Sequence, residues 1–395
     1  MKIVFLVQGE GRGHMTQAIA LAQILRQAHC EIKAVCVGKS LHRIIPAFFK
    51  EQIQAPVIEF IAPEMIYQSQ GEGVSMGQTI YTVLKNAPRY IASLRKLHEQ
   101  ITDIGPDLII SFYEPYGGLY NLIFRPKIPM VCIAHQYLLL HPKFVFPENS
   151  KIADRILINL NSKITSWRAQ KRLALSFREM KNVPDRKITV VPPLLRKEVL
   201  SLQPSQGTFI LIYITHHSLS RAIITWHQSH PDVTLHCFWD NPHVSDEFVF
   251  DDTLIFHRIH SKKYLDKLAS CQALVTTAGF ESVCEAMYLG KPVMMVPVPN
   301  HFEQACNAID GVIAGVGVTA PTFDLSVLLE YLPKHQDQSA KFRVWYQGGE
   351  ALFLREIDAA VKDARLSDTI HRPFQQFLTL NIWLHRYISP LKNHP

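Results

Sequence analysis

The chain has 395 residues, 47% of them hydrophobic, and carries a formal net charge of +7 at pH 7. This length suits two domains better than one core, and the hydrophobic fraction is that of a globular protein rather than a disordered one. No apolar run reaches the roughly 18 residues of a membrane-spanning helix, and the modest positive charge does not by itself indicate a nucleic-acid partner.

The start of the chain and its cysteines bear on the cellular compartment. The first residues are apolar too briefly for a secretory signal and lack a cleavage pattern, so they are interpreted as a buried first strand. The seven cysteines form no C-x-x-C pair, so free buried thiols are expected rather than disulfides or a zinc site. We therefore expect a cytoplasmic protein.

Short apolar runs alternate with helical patterns through the first half of the chain. Strands are predicted at Ile3–Val7, Ile32–Val37, Val57–Ile61, Leu108–Phe112 and Met130–Ala134. Helices are predicted at Met15–Ala28, Leu41–Phe49 and Thr79–Glu99, the last with a kink or interruption near Pro88. The polar, glycine-containing segment Met65–Met76 is predicted to be a mobile loop.

A second series of the same kind follows Val190-Val191-Pro192-Pro193, which is interpreted as a linker. Its predicted strands are Phe209–Ile214, Thr234–Phe238, Thr253–Phe256, Ala273–Thr276 and Val293–Val296, with a helix at Ser261–Ser270 among them. Alternation of strands and helices is typical of a doubly wound parallel sheet. The sequence thus predicts an α/β protein with two Rossmann-like domains, residues 1–192 and 193–365.

A glycine-rich loop, Gly9-Glu10-Gly11-Arg12-Gly13-His14, follows the first strand and opens a helix. This context suits a nucleotide or phosphate loop, although the complete G-x-G-x-x-G is not present. Glycines such as Gly13 let a ligand approach the backbone. His14 lies near the helix N-terminus, where the dipole disfavours the imidazolium and keeps a neutral base available. A histidine that only caps the helix is the alternative.

Two neighbouring strands end in side chains capable of acid–base chemistry. Glu114 follows the strand Leu108–Phe112, and His135 and Gln136 follow the next strand. The carboxyl ends of parallel strands face the ligand crevice. Glu114 is therefore a candidate to orient His14 or to deprotonate an acceptor hydroxyl itself.

The segment Thr276–Ala308 carries the most specific pattern in the chain. It is predicted to form a strand, a turn at Gly279, a helix, a strand, a loop and a second helix. Such a βαβ unit places helix N-termini where anions and nucleotides bind. Glu285, one turn inside the first helix, can accept two hydrogen bonds from a vicinal diol such as that of ribose. Gln304 begins the second helix beside the same crevice.

This segment resembles the donor-nucleotide motif of GT-B glycosyltransferases. The likeness is greatest to inverting UDP-sugar enzymes: the peptidoglycan N-acetylglucosaminyltransferase, the enzymes that make galactosyl-diacylglycerol, and the UDP-glucuronosyltransferases. In that family a glycine precedes a helix whose Glu, six residues later, holds the ribose, and these positions are Gly279 and Glu285 here. An acid-Gln pair and an Asn-Ala pair follow, here Glu303-Gln304 and Asn307-Ala308.

The resemblance implies roles for the domains and for further residues. Residues 1–192 would bind the acceptor, residues 193–365 the nucleotide sugar, and residues 366–395 would form a helix that packs back on the first domain. The helix start at Phe280 and Glu281, together with Glu303 and Gln304, would contact the donor. Ile259 would lie against the uracil.

The loop that cradles the diphosphate in the family is usually rich in glycine. In this sequence it is Thr215-His216-His217-Ser218 and contains none. Hydroxyls, backbone amides and an imidazole can still bind phosphate, so Thr215 and His216 are expected to contact the donor. Zinc binding by the two histidines is the other reading, disfavoured because adjacent histidines on a strand point apart and no further ligand is evident.

Retaining GT-B enzymes commonly carry a Glu eight residues before the ribose Glu, and Thr277 occupies that position here. The resemblance therefore implies an inverting transferase that uses a UDP-sugar, with His14 or Glu114 as the base and with no cofactor or obligatory metal. A non-hydrolysing UDP-N-acetylglucosamine 2-epimerase and a non-catalytic binder of nucleotide sugars or saccharides are the alternatives.

The sequence does not identify the acceptor. A lipid-linked acceptor with peripheral membrane contact is one expectation, and a soluble acceptor is the other; no nucleic-acid partner is expected. Basic residues on the long first-domain helix could attract an anionic membrane or simply form a solvated face. They are Lys85, Arg89, Arg95 and Lys96.

Overall fold

The described part of the chain forms two seven-stranded sheets, one in each of two domains. The computed structural model describes residues 1–41, 43–63, 76–148, 150–214, 217–241, 244 and 246–366, without the side chains of residues 76–80. This is the predicted α/β class with two Rossmann-like halves. The predicted mobile loop Met65–Met76 lies outside the described residues except for Met76.

The first sheet is entirely parallel, in the order β3-β2-β1-β4-β5-β6-β7. Its strands are β1 Lys2–Gln8, β2 Glu31–Lys39, β3 Val57–Ile61, β4 Leu108–Phe112, β5 Met130–Ala134, β6 Lys171–Leu175 and β7 Ile188–Val191. The strand order reverses between β1 and β4, which creates a crevice at their carboxyl ends. Helices cover both faces, so the apolar runs of β1, β4 and β5 are almost entirely buried.

The second sheet has the order β10-β11-β9-β8-β12-β13-β14. Its strands are β8 Ile210–Tyr213, β9 Leu235–Trp239, β10 Glu247–Val249, β11 Leu254–Arg258, β12 Ala273–Thr276, β13 Val293–Met295 and β14 Gly317–Thr319. All pair in parallel except the edge strand β10, which is antiparallel to β11. The equivalent reversal of strand order lies between β8 and β12.

Helices fill the connections and continue beyond the last strand. They are α1 Gly13–Gln27, α2 Ala47–Ile53, α3 Met76–Ile104, α4 Pro115–Ile123, α5 Ile152–Thr165, α6 Lys197–Leu200, α7 Ser220–Gln228, α8 Ser261–Ser270, α9 Phe280–Tyr288, α10 Phe302–Ile313, α11 Ser326–Tyr331, α12 Ser339–Gln347 and α13, described over 349–366. A 3₁₀ turn, His135–Leu140, follows β5.

Three local predictions differ from the structure, and each difference involves proline. The helix predicted from Leu41 begins only at Ala47, because Pro46 caps α2 and a residue before proline disfavours the helical region. Helix α3 continues through Pro88 without an interruption. Val190 and Val191, interpreted as linker, are buried in the edge strand β7, and the chain leaves the first sheet only at Pro192.

The chain returns to the first sheet before its predicted C-terminal tail. Glu356 of α13 is ion-paired with Lys171 of β6, with 2.6 Å between Lys171 Nζ and Glu356 Oε2. Thr189 of β7 donates to the same carboxylate oxygen at 3.3 Å, and Trp345 Nε1 donates to the Ser176 carbonyl at 3.1 Å. The predicted crossover helix 366–395 lies outside the described residues except for Leu366.

The cysteines and the helices agree with two further expectations. All seven cysteines are free thiols, six of them buried and Cys30 half-buried. Within the described ranges, no helix is both long and apolar enough to cross a bilayer.

Candidate functional site

A cleft of about 310 Å³ lies between the two domains, beside the carboxyl ends of both sheets. Its first-domain wall comes from the loop after β1, the first turns of α1, and residues near α2. Its second-domain wall comes from Tyr213 of β8, from Ile259 after β11, and from the turn and helix that follow β12. The sequence-predicted residues Gly13, Ile259, Gly279, Glu281 and Glu285 all line this cleft.

The two domains approach each other most closely where α1 faces α9. A Cβ added at Gly13 would collide with the carboxylate of Glu281, which would have to move away from its present position. Gln17, one turn further along α1, donates a hydrogen bond to the same carboxylate. Burial raises the pKa of Glu281 to about 7, although the Gln17 hydrogen bond lowers it in part. Glu281 therefore links the domains in a form that is close to half-protonated at neutral pH.

The carboxylate expected to hold the ribose has a cationic partner in the structure. Arg196 donates from Nε to Glu285 Oε1 at 2.6 Å and from a terminal nitrogen to Oε2 at 2.7 Å. Its other terminal nitrogen donates to Ser261 Oγ at 2.8 Å. Bidentate pairs of this kind fix both groups in direction. Glu285 is thus held rigidly at the cleft wall, and its oxygens retain lone pairs for a further donor.

His14 lies at the start of α1, in a group of polar side chains from both domains. Its Nδ1 lies 3.3 Å from Gln17 Oε1, and its Nε2 lies 3.4 Å from Gln136 Nε2. Gln136 also donates to Glu303 Oε1 of α10 at 3.0 Å. Burial lowers the pKa of His14 more than the charge of Glu303 and the Gln17 hydrogen bond raise it. The lowered pKa favours the neutral imidazole at pH 7, and the cause is burial, whereas the sequence analysis invoked the helix dipole.

Glu114 is buried and lies apart from this group. It caps α4, with its Oε1 accepting a hydrogen bond from the Tyr116 amide at 3.2 Å, and Gly38 packs directly against its carboxylate. Its other oxygen has no partner among the described residues. Burial raises the pKa of Glu114 to about 8. The described hydrogen bonds do not join Glu114 to His14, so the suggestion that Glu114 orients His14 finds no support in the geometry.

The remaining predicted residues contact either the other domain or the backbone of a neighbouring loop. Phe280 stacks on His135 of the first domain, with ring centroids 4.1 Å apart, and does not line the cleft. Glu303 contacts Gln136, and Gln304 Oε1 accepts from the Val298 amide at 2.8 Å. Thr215 and His216 lie outside the described residues.

Strained backbone occurs at the carboxyl ends of a central strand in each domain. Tyr113 after β4 and Ala278 after β12 both adopt positive φ, 57° and 59° respectively. Non-glycine residues adopt this conformation only where the surroundings hold them, and such residues cluster at functional sites. Asn307 donates to the Ala278 carbonyl at 3.0 Å, and the Tyr113 ring stacks on His14 with centroids 5.9 Å apart.

Sequence reasoning missed the partners that position the predicted residues. Arg196 follows the linker and Gln17 lies in the first turns of a helix, and neither belongs to a motif. Their roles depend on contacts between residues 89 and 264 positions apart in the chain. In the described ranges, no group of three His, Cys, Asp or Glu side chains is placed to hold a metal ion.

Comparison with protein families gives one match that covers most of the chain. The family model for glycosyl transferase family 1 matches residues 1–334. No curated protein matches the chain significantly.

Solved glycosyltransferase structures share the two-domain architecture. CalG4, the calicheamicin glycosyltransferase, has a TM-score of 0.52 and 16% identity over 94% of this chain and 97% of its own. MurG from Acinetobacter baumannii has a TM-score of 0.53 and 14% identity, covering 91% and 99%. The spinosyn rhamnosyltransferase SpnG in complex with thymidine diphosphate has a TM-score of 0.52 and 12% identity, covering 93% and 100%. At these identities the similarity shows a common GT-B fold.

The buried carboxyl of Glu114 predicts a pH-dependent stability. Its pKa of about 8 exceeds the ordinary 4.5, so the unfolded chain ionises first and stability is lost as pH rises from about 4.5 to about 8. The loss from this group is on the order of 5 kcal/mol. In urea unfolding at pH 5 and pH 8.5, Glu114→Gln should lose less stability than the wild type as pH rises.

Glu51→Gln, at an exposed position on α2, is the matched control and should keep the wild-type pH dependence. An unchanged pH dependence in Glu114→Gln would show that the carboxyl is not held neutral by burial.

Proposed function

The chain belongs to glycosyl transferase family 1, and from that premise we propose that this GT-B glycosyltransferase moves a sugar from a UDP-sugar to an acceptor hydroxyl with inversion. One observation carries the proposal: the cleft lies between a nucleotide-type wall and the start of α1, where Gly13 lines the cleft and the buried His14 follows it in the chain. The nucleotide wall contains Ile259, the Gly279 turn and Glu285. A transferase needs both parts, one to hold the leaving nucleotide and one to activate the nucleophile.

His14 is the proposed general base. Its neutral imidazole accepts the proton of the acceptor hydroxyl while the oxygen attacks the anomeric carbon from the face opposite the diphosphate. His14 Nδ1 donates to Gln17, so Nε2 takes the acceptor proton in place of its contact with Gln136, and the negative charge of Glu303 favours the imidazolium that forms. Glu114 is a weaker candidate, because a carboxyl with a pKa of about 8 is mostly protonated at neutral pH and the described residues do not link it to His14.

The leaving diphosphate requires stabilisation of its developing charge. The N-terminus of α9 begins at the Gly279 turn in the cleft wall, and a helix N-terminus favours an anion. Thr277 lies where retaining relatives commonly carry a Glu, and it is buried. The described chain therefore offers no nucleophilic carboxylate at that position, which supports direct displacement and inversion.

The nucleoside is proposed to be uridine with an intact ribose. Glu285 lies at the cleft wall with lone pairs available to a diol, and its guanidinium partner fixes its direction. SpnG was solved with thymidine diphosphate, so a thymidine-linked donor is the natural competitor. A deoxyribose lacks the 2′-hydroxyl, which makes the two donor classes distinguishable at this residue.

The acceptor is proposed to be amphiphilic and reached at an anionic membrane surface. Helices α3, α4 and α5 share one core and cover one side of the first sheet. Along α5, apolar side chains at a spacing of four residues face outward, with Ile152 73% exposed and Ile156 62% exposed. The basic residues Lys85 and Arg89 lie exposed on α3. An exposed apolar stripe beside basic residues is typical of a helix at a membrane interface.

The base assignment is tested by His14→Ala. Turnover should fall roughly 100-fold or more, because a positioned base contributes that much to the rate. Thermal stability and UDP affinity should stay close to those of the wild type. The measurement is sugar transfer or UDP release with a panel of UDP-sugars, and near-normal turnover would move the base to another residue.

The same assignment predicts a pH dependence. The pKa of His14 is lowered by burial, so the active neutral form persists below pH 6.5 and activity should decline only on further acidification. The residual activity of His14→Ala should not show this decline when activity is measured as a function of pH.

The donor assignment is tested with two ligands and two proteins. Wild-type protein should bind UDP more tightly than 2′-deoxy-UDP, and Glu285→Ala should lose that preference. The expected loss for UDP is about 1.5 to 3 kcal/mol, typical of hydrogen bonds to a charged group. The change also unpairs Arg196 and weakens the fold, but that effect acts on both ligands equally. If calorimetry shows that the wild type and Glu285→Ala prefer UDP over 2′-deoxy-UDP to the same extent, Glu285 does not bind the ribose.

The membrane assignment is tested by co-sedimentation with anionic and neutral vesicles at low salt. The double variant Lys85→Glu/Arg89→Glu should bind anionic vesicles at least about tenfold more weakly than the wild type, since each basic residue contributes about 1 kcal/mol. The double variant Lys334→Glu/Lys341→Glu, at exposed positions on the second domain, changes the net charge equally and should bind normally. A wild-type protein that remains in the supernatant would favour a soluble acceptor.

A further inference from the structure

Two arginines in the first-domain wall of the cleft have no described ion-pair partner. Arg12 interrupts the glycine-rich loop and occupies the residue before α1, and Arg43 follows β2. Both line the cleft, and no ion pair among the described residues includes either one. The Nε of Arg43 is buried and finds no hydrogen-bond acceptor in the described part of the chain. This nitrogen is therefore available to donate to a ligand in the cleft.

Three of the four acidic residues that line the cleft accept hydrogen bonds from other groups. Glu285 accepts from Arg196 with both oxygens. Glu10 accepts from the Ser40 amide at 2.7 Å, and Glu281 accepts from Gln17. The fourth, Asp240, is exposed on the second-domain wall. The described hydrogen bonds and ion pairs include neither first-domain guanidinium group, so both have donors available to a ligand.

Arg12 lines the cleft together with Tyr213 and Arg196 of the second domain. Its guanidinium carbon lies 5.9 Å from the ring centroid of Phe48, which supports it from the first-domain side. The charges of Arg12 and Arg196 both lower the pKa of Tyr213 of β8, although burial keeps that pKa above its ordinary value. Cationic side chains of both domains therefore contribute to the electrostatics of the same part of the cleft.

We propose that Arg12 and Arg43 bind the diphosphate of the nucleotide donor from the acceptor-side domain. This inference rests on the proposed function, which supplies the donor. The loop at 215–218 of the second domain contains no glycine, whereas the loops that surround phosphate with backbone amides are commonly rich in glycine. Guanidinium groups are planar forks that bind phosphate oxygens in pairs. The two arginines add charged donors from the first domain.

The arrangement couples donor binding to domain closure. The second domain holds the nucleoside through Ile259 and Glu285, whereas the proposed phosphate ligands belong to the first domain. A bound diphosphate therefore bridges the two walls. The same guanidinium groups stabilise the charge that develops on the leaving diphosphate, so their loss should lower kcat as well as raise the donor KM.

The test compares UDP with uridine on the full chain by calorimetry. Arg12→Ala and Arg43→Ala should each weaken UDP binding about tenfold to hundredfold, the range for hydrogen bonds to charged groups, and leave uridine binding unchanged. Inorganic diphosphate should compete with UDP in the wild type and lose this ability in the variants. Arg95→Ala, an exposed arginine on α3, is the matched control and should bind UDP normally.

The possible results separate this inference from the function on which it rests. A wild-type protein that binds neither UDP nor uridine overturns the proposed function. Normal UDP affinity in both arginine variants overturns only the inference. The two arginines would then be candidates to bind an anionic group of the acceptor. Equal losses for UDP and uridine also overturn it, because they would mean that the arginines support the cleft rather than bind phosphate.

Discussion

The approach of α1 to α9 at Gly13 determines how the two domains meet. Two helix N-termini, each with a partial positive charge, converge on one place, and such an arrangement is unfavourable unless an anion lies between them. The Glu281 carboxyl occupies that position and is held by Gln17. Because its pKa is about 7, it supplies only part of a negative charge at neutral pH. The N-termini of α1 and α9 can therefore also stabilise an anionic ligand in the cleft.

The contacts between the domains fall into two groups with different physical character. One group consists of hydrogen bonds between polar side chains, as in the contacts of Gln136 with His14 and Glu303. The other is aromatic or ionic, as in the stacking of Phe280 on His135 and the pair of Lys171 with Glu356. Stacking and ion pairing hold the domains together, whereas the hydrogen bonds can be exchanged for others when a substrate binds. This division suits an enzyme that must admit two ligands and then exclude water.

Much of the fold could be predicted from the sequence because buried parallel strands are continuous apolar runs. The positions of Gly13, Gly279 and Glu285 also followed, because strand ends and helix starts fix where such residues lie. Side-chain pairing could not be predicted: the contact of Arg196 with Glu285 joins residues 89 positions apart and depends on the angle at which α6 meets α9. The strand β7 was missed because Val190 and Val191 precede two prolines and resemble a linker. The sequence also does not show that Gly38 packs against the carboxyl of Glu114, and a role of Glu114 in the site stays a prediction.

The burial of the thiols has a practical consequence for spectroscopy. Burial raises the pKa values of Cys36, Cys132 and Cys271 to about 12, and a protonated, enclosed sulfur is a poor nucleophile. Cys30, at the end of the loop after α1, is the most accessible of the seven. Replacing that one residue would leave a chain that maleimide dyes label slowly. Cysteines introduced on opposite rims of the cleft could then carry a fluorophore pair, and energy transfer between the dyes would report the distance between the domains during turnover.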